Sequence, residues 1–451
     1  MSGDTIVALS TPPGGSALAV VRISGNRAAE IARVMAPRSS RWEPRTIHKT
    51  TISSGAGEAL DEAAAVLYRA PGSYTGEDML EIFCHGSMQV AGRIIEEAIS
   101  LGARAAEPGE FTRRAFLEGR IDLSQAEAVA DLIASETELQ ARVALDNLEG
   151  RLSREVGRIE EIILDRLAEA EASIDFSEAG EGPGPGDDRL EGVGEASGII
   201  SSLLESGAAG RMLRRGIRVT LTGPRNAGKS SLYNALLGEE RALVSPVPGT
   251  TRDVLRERIH VRGFTFLLED TAGLARTECT VESAGMEMGR KAAGAADLVL
   301  FVLDGSEGWT DEAQREYEAI RERNHMIVVN KSDLERPAGE SLPGGDRTVA
   351  TSAVTGEGLE GLRGKIFELT AGAGAGEDLG ARAMVNARQG EALRRAKEAL
   401  EDLAKGAGAG EPPEILSLYL REAAEACGEV TGRSVETKLL DRIFGRFCIG
   451  K

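Results

Sequence analysis

The sequence predicts a multidomain chain of mixed α+β and α/β class: a small N-terminal α+β domain, then a central helical domain into which a doubly wound sheet is inserted. Three observations carry this expectation. At 451 residues the chain exceeds what one hydrophobic core serves and fits two or three domains. From Gly216 onward, apolar strand-like runs alternate with helical stretches, the pattern of a sheet covered on both faces. Amphipathic helical periodicity stands both before and after that region, so the flanks read as one helical domain interrupted at an exposed point.

Within residues 1–118, the runs Ala17 to Ile23, Ala63 to Tyr68 and Met79 to Phe83 read as short strands between the turn clusters TPPGG and APGSYTG. Residues 119–215 and 376–451 read as the discontinuous helical domain. Apolar residues recur at helical spacing from Asp122 to Phe176, and an acidic Gly/Pro-rich stretch from Glu178 to Asp188 reads as an exposed loop. Residues 216–375 hold the strands IRVTLTG, DLVLFVLD, HMIVVN and RTVATSA and a hairpin-like RIHVRGFTFLLED. After Thr370 the segment AGAGAGEDLGA leads back to helix in REAAEACGEV and VETKLLDRIF, a pair short enough to require a partner.

Composition excludes several classes. Hydrophobic residues make up 41% of the chain, and no run reaches the roughly 20 apolar residues that span a bilayer. The N-terminus lacks a basic segment followed by an apolar one, so no secretory signal is expected and the cytoplasm is the default compartment. Cys84, Cys279, Cys427 and Cys448 are scattered, which argues for reduced thiols over a zinc ribbon or disulfide frame. A formal charge of −19 repels nucleic acid overall and confines any RNA contact to a local basic patch or a partner.

The sharpest signal is Gly223-Pro-Arg-Asn-Ala-Gly-Lys-Ser230, which follows an apolar strand and precedes the helical run SLYNALLG. Its glycines let backbone N–H groups of Asn226, Ala227, Gly228 and their successors through Ser231 turn toward phosphates. Lys229 reaches the β/γ oxygens, and the Ser230 hydroxyl suits Mg²⁺ at a helix N-terminus. Gly249-Thr-Thr-Arg-Asp253, which follows Ser245, Pro246, Val247 and Pro248 and includes Thr250, then supplies Thr251, a hydroxyl suited to closing over Mg²⁺ and γ-phosphate. Asp270, Thr271, Ala272 and Gly273 add a carboxylate for the metal shell and an N–H for the γ-phosphate. Asn330 and Lys331 lead to Asp333, whose carboxylate accepts N1–H and N2–H of guanine. Adenine lacks that donor pair and is rejected by a few kcal/mol, on the order of an unpaired buried carboxylate. Ser352 and Ala353 supply the backbone contact to guanine O6. Occurring in this order, the elements specify a Ras-like P-loop GTPase domain.

Leu274 stands where Ras-type enzymes carry the glutamine that orients the attacking water, so catalysis must come from elsewhere. Two readings stand for each candidate: Asn226 either ligates a monovalent cation beside the phosphates or stabilises its loop, and Glu282 either acts on the water or is a solvated helix charge. Arg252 and Arg256 read more simply as solvated charges than as phosphate contacts.

The segments PRNAGKSSLYNALLG, VPGTTRDV and EDTAGL, with TPPGGSALAVVRISG, GSYTGEDMLEIFCHG, PGEFTRRAF, RIDLSQAEAVADLI and the terminal FCIGK, closely resemble the MnmE (TrmE) family of tRNA-modification GTPases over nearly the whole chain. The resemblance implies a homodimer formed through N-terminal folate-binding domains, with G domains that meet when potassium and GTP are bound. It implies a flavoprotein partner, MnmG (GidA), in a heterotetramer that installs an aminomethyl or carboxymethylaminomethyl group at C5 of the wobble uridine, position 34 of certain tRNAs. The one-carbon donor would be a tetrahydrofolate derivative in the 5-formyl or methylene form.

Carried over by position, the resemblance makes Asn226, Ser245, Val247 and Thr250 potassium ligands, Ser230 and Thr251 magnesium ligands, and Glu282 the residue that positions the hydrolytic water. Arg22, Glu81, Arg120 and Lys451 match positions around the folate, and Cys448 the C-terminal cysteine connected with the modification chemistry; the alternative for Cys448 is a small apolar tail residue. The chain departs from the family in Pro224-Arg225, where the basic residue is expected first, in Arg120 where lysine is familiar, and in the Gly-rich stretch from Gly180 to Gly186. A regulatory switch in ribosome assembly is the alternative function, disfavoured by the N-terminal segments and the CIGK tail. An independent one-carbon transferase finds no catalytic constellation before residue 115, where His48 and His85 stand isolated.

Overall fold

The computed structural model describes residues 3–37, 42–178, 190–238, 256–270, 294, 296–335, 345–372 and 384–451, without the side chains of 175–178, 208, 256 and 270. These residues form two compact units. The first comprises Met1–Ala130, Asn147–Ala196 and Arg395–Lys451, and the second Asp131–Asp146 and Ser197–Arg394.

The first unit is built on a six-stranded sheet from β1 (Thr5–Leu9), β2 (Ser16–Ser24), β3 (Ile47–Ser53), β4 (Ala59–Tyr68), β5 (Met79–Gly86) and β6 (Ala103–Ala105), in the order β3-β4-β5-β2-β1-β6. All neighbours are antiparallel except β1 with β6. Period-two alternation assigns the faces. Val21, Ile23, Leu80 and Ile82 enter the core against α1 (Ala28–Met35) and α2 (Met88–Ser100). Arg22 and Glu81, one step out of phase, therefore point to the other face, where Ile6 and Ala8 pack with Phe111 and Tyr74.

After the sheet comes α3 (Glu110–Leu117), ahead of the helical periodicity, and then α4 (Leu123–Ala134), α5 (Glu138–Leu148) and α6 (Arg151–Glu178), as that periodicity predicts. Toward the C-terminus stand α7 (Val193–Arg215) and, further on, the pair α12 (Pro413–Thr431) and α13 (Thr437–Phe444). The partner that this pair requires is present: α12 lies along α6, and Leu440 and Phe444 of α13 are buried with Leu123 and Ala126. Arg433 bonds the buried Glu160 at 2.8 Å, closing the packing of α6 on the end of α12.

The second unit holds β7 (Ile217–Thr222), β8 (Arg256–Val261), β9 (Phe264–Asp270), β10 (Leu298–Asp304), β11 (His325–Asn330) and β12 (Thr348–Ala350), in the order β12-β11-β10-β7-β9-β8. Every pairing is parallel except the β8–β9 hairpin. Strands β10 and β11 are buried at every position, as continuous apolar runs between two covered faces should be. One face is covered by α8 (Lys229–Leu237) and α10 (Leu359–Thr370), the other by α9 (Asp311–Glu318) with Trp309. A helix that the sequence reading did not assign, α11 (Ala387–Ala409), follows. In such a sheet the carboxyl ends of the parallel strands form one edge, and Thr222, Asp270, Asp304 and Asn330 all sit there.

The segments around Glu178 to Asp188 and AGAGAGEDLGA fall largely outside the described residues. The hairpin reading is met by β8 and β9, whose turn at Arg262-Gly263 places both residues at positive φ, 50° and 82°.

Candidate functional site

The loop from Gly223 to Gly228 joins β7 to α8 and turns on left-handed or otherwise positive φ at Gly223 (131°), Asn226 (60°) and Gly228 (85°). Side chains would not fit at the two glycines. A Cβ on Gly223 would stand 2.2 Å from the Val302 carbonyl oxygen, and one on Gly228 would stand 2.3 Å from Asn330 Nδ2. Asparagine tolerates the left-handed region better than most residues, so the Asn226 backbone alone gives a reason for that residue type, and its side chain is exposed. Lys229 Nζ reaches back across the loop and donates to Gly223 O and Pro224 O, both at 2.6 Å, which fixes the ammonium at the start of the loop. Ser230 and Ser231 begin α8, exposed at its N-terminus.

The Pro224-Arg225 order leaves the loop intact. Pro224 is buried, while Arg225 is exposed and its N–H makes a long bond of 3.5 Å to Glu312 Oε1 on α9, a donor that a proline at that position would lack. Burial pushes the Glu316 carboxyl on the same helix up, against the nearby Lys229 ammonium.

The second lip of the site is tied to the first. Asn330 Nδ2 donates to Ala227 O at 3.1 Å and Gly228 O at 3.4 Å, and its Oδ1 accepts from Ala353 N at 3.1 Å. One side chain thus fixes the spacing of the phosphate loop, the end of β11 and the loop after β12. Lys331 adopts φ 60° and reaches Asp304 Oδ2 at 2.5 Å. Asp333 is exposed beyond it, and Ser352 is buried with its hydroxyl accepting from Thr355 N at 3.1 Å. Asp304 was not read from the sequence; the only signal was that the apolar strand DLVLFVLD ends on a carboxylate.

A second polar cluster lies in the first unit. The β2–β5 register sets Arg22 directly opposite Glu81, and Arg22 Nε and Nη2 donate to Glu81 Oε1 at 2.9 and 2.8 Å. The guanidinium lies over the rings of Tyr74 and Phe111, 5.3 and 5.6 Å from their centroids. The C-terminal tail folds onto this face: Gly450 O accepts from Ser10 Oγ at 3.0 Å, and Lys451 O accepts from Phe111 N at 3.2 Å. Burial, reinforced by the Arg22 charge, holds the Lys451 ammonium below the usual lysine range. Cys448 is exposed, and its carbonyl accepts from Gly109 N. Arg120 is exposed, with its stem beside Gly76. His85 is not isolated, contrary to the sequence expectation: its Nδ1 and backbone N contact the two oxygens of Asp61 at 2.7 and 2.8 Å.

Residues 123–448 match the family described as MnmE helical domain, and residues 5–120 match GTP-binding protein TrmE N-terminus. The chain belongs to the MnmE (TrmE) family. A relative from Aquifex aeolicus, named tRNA modification GTPase MnmE, is 40% identical over 449 residues, covering 99% of this chain and 100% of its own. Relatives of the same name from Geobacter metallireducens and Moorella thermoacetica are 42% and 41% identical, the first over 99% of each chain and the second over 100%. Among solved structures, the G domain of the FeoB iron transporter of T. maritima is 27% identical and covers 34% of this chain and 98% of that chain, with a TM-score of 0.26.

In this MnmE chain the described structure brings together the phosphate loop, Asn330, Lys331 and Ala353, and separately Arg22, Glu81 and the carboxyl-terminal residues. Ser245, Pro246, Val247, Pro248, Gly249, Thr250, Thr251, Thr271, Ala272, Gly273 and Glu282 lie outside the described residues, and of Asp270 only the backbone is placed. Among the described residues, no helix is long and apolar enough to cross a membrane and no cluster of His, Cys, Asp and Glu has the makings of a metal site. The hydroxyl of Ser230 and the backbone amides of the loop are nevertheless the donor chemistry that a magnesium-bound triphosphate requires.

Proposed function

We propose that this chain is a potassium-dependent GTPase that acts with the flavoprotein MnmG (GidA) to form the aminomethyl or carboxymethylaminomethyl modification at the wobble uridine of tRNA. The observation that carries the nucleotide reading is the bond from Asn330 Nδ2 to Ala227 O, which ties a phosphate-binding loop to a guanine-reading loop. Family membership over the full chain carries the pathway.

On this reading Lys229 meets the β/γ oxygens, Asp333 accepts from N1–H and N2–H of guanine, and the Ala353 amide meets O6. Ser230 and Thr251 would hold magnesium, and Asn226, Ser245, Val247 and Thr250 would hold potassium. Ions held there would neutralise phosphate charge in place of an arginine finger. Glu282 positions the attacking water. Arg22, Glu81, Arg120 and Lys451 would bind a tetrahydrofolate derivative, which supplies a one-carbon unit, and Cys448 lies on the tail that packs against the face of Arg22 and Glu81. Homodimerisation through residues 1–118, a helical domain of 119–215 with 376–451, G domains of 216–375 that pair across bound GTP, and a cytoplasmic location complete the proposal.

GTP turnover in KCl against NaCl tests it, with Asn226→Gly beside Asn226→Ala. Glycine keeps the left-handed backbone and removes only the amide, so potassium stimulation lost in both variants assigns a cation ligand. Stimulation retained by Asn226→Gly and lost in Asn226→Ala assigns a backbone role and sinks the potassium site. Unchanged wobble-uridine modification in cells lacking the protein would remove the pathway.

A further inference from the structure

Asp304 closes β10 in direct register with Asn330 at the end of β11, so its carboxylate emerges beside the guanine-reading loop. It is a built anchor. Its side chain is 7% exposed. Ser306 donates to Oδ1 through both its backbone N–H, at 2.9 Å, and its hydroxyl, at 2.6 Å, while Oδ2 takes the Lys331 ammonium. Burial works against the charge, but these bonds win and hold the carboxyl below the usual aspartate range.

Lys331 has no intrinsic reason to sit as it does. Its φ of 60° is unfavourable for a residue with a Cβ, and a long cationic side chain left in water would sample many rotamers. Tied to Asp304, its stem passes close to the last residue of the phosphate loop: a Cβ on Gly228 would lie 3.9 Å from Lys331 Cε. The methylenes of a side chain pinned at both ends form a fixed apolar ledge beside Gly228.

We propose that Asp304 is a positioning residue for guanine-nucleotide binding: by holding the Lys331 ammonium it stretches the lysine stem into the ledge on which the nucleoside part of the nucleotide rests. The proposal rests on the GTP-site reading above and deepens it. Asp304 itself touches no nucleotide, so removing its charge weakens binding without slowing the chemical step.

Titration of full-length protein with fluorescent GDP, together with steady-state GTP kinetics, tests this in Asp304→Asn, Asp304→Glu, Lys331→Met and the double variant Asp304→Asn with Lys331→Met. The loss of one charge-assisted bond predicts that Asp304→Asn raises Kd and KM about tenfold, with kcat at saturating GTP within about twofold. Asp304→Glu recovers most of the affinity, and the double variant binds no more weakly than Lys331→Met alone. A Kd for folded Asp304→Asn within about twofold of wild type, or losses that multiply in the double variant, overturns the proposal. Should Asp304→Asn fail to fold, Asp304→Glu decides: a retained charge on a longer arm moves Kd by less than Lys331→Met does, and the reverse order overturns it. Asp333→Asn, offered GTP and XTP, separates the two readings, because an asparagine amide donates to the extra carbonyl of xanthine. Absence of that switch in preference defeats the guanine reading itself, whereas a clean switch with an unmoved Asp304→Asn defeats only the role of Asp304.

Discussion

The two polar sites are built by opposite means. In the nucleotide site six consecutive residues, Gly223 to Gly228, set the geometry through their backbone, and a single asparagine spaces the second lip. The Arg22 site has no local frame: Glu81 is 59 residues away in sequence, and the tail that covers it is 428 residues away. A backbone cradle fails sharply when one atom is added. A side-chain network with several acceptors gives way gradually.

The largest expected effect breaks the cradle at its charge. Lys229→Ala removes the side chain that the proposed function places on the β/γ phosphates, and should lower kcat/KM for GTP by on the order of 10² to 10³. Steady-state kinetics check it. A loss under about tenfold would mean that the backbone amides alone carry the triphosphate, making the cradle less dependent on one group than the geometry implies. Arg22→Met, by contrast, should leave turnover near wild type, since the pair lies in the other compact unit; on the proposed folate reading it should weaken tetrahydrofolate binding, which calorimetry measures.

That contrast also governs what was legible in the sequence. The phosphate loop, the β8–β9 hairpin and the buried strands β10 and β11 were readable because their signals are contiguous: glycine spacing, a period of two, or an unbroken apolar run. Strands β1, β3 and β6 are too short for their pattern to stand alone, ARA above all, and depend on their neighbours; helix α11 does carry a helical stripe, Leu393, Ala396, Leu400 and Leu403, all buried, and only its small-residue end AKGAGA is silent. Residues alone could not pair Arg22 with Glu81, which needs the strand register; family resemblance supplied that grouping. Asp304 was missed for the same reason, since only the β10–β11 register sets it beside the lysine.

The comparison sharpens in two glycines. Gly228→Ala forces a Cβ at φ 85° to within 2.3 Å of Asn330 Nδ2, at a spot fixed on both sides, and should cost about 2 to 3 kcal/mol along with nucleotide affinity. Gly450→Ala creates a closer approach, 2.2 Å to Leu9 O at φ 92°, but in a terminal segment attached to the chain on one side and held by hydrogen bonds from Ser10 Oγ, Arg22 Nη1 and Phe111 N. Its cost in thermal unfolding should stay near 1 kcal/mol, and the loss should fall on folate binding. Equal destabilisation by both would show that the tail is as integral as the loop.

The smallest effect tests the gradual side. Glu110 is met by Arg104 at 2.5 Å and Arg114 at 3.0 Å, and its Oε2 accepts the Glu107 N–H at 2.9 Å. Burial opposes its charge, yet the bonds from Arg104, Glu107 and Arg114 outweigh it and hold the carboxyl below the usual glutamate range. A depressed folded pKa means that the charged form stabilises the fold above the unfolded value of about 4.3, and that this stabilisation disappears as pH falls through the lower folded value. Glu110→Gln should therefore cost on the order of 1 kcal/mol at pH 7 and progressively less in acid, until the two unfolding curves meet. The cost stays small because Arg114 keeps Asp4 and Glu77, and Arg104 keeps Asp4. Denaturant unfolding from pH 7 to pH 3 reads it, and a gap that persists undiminished in acid would place the loss in packing instead of charge.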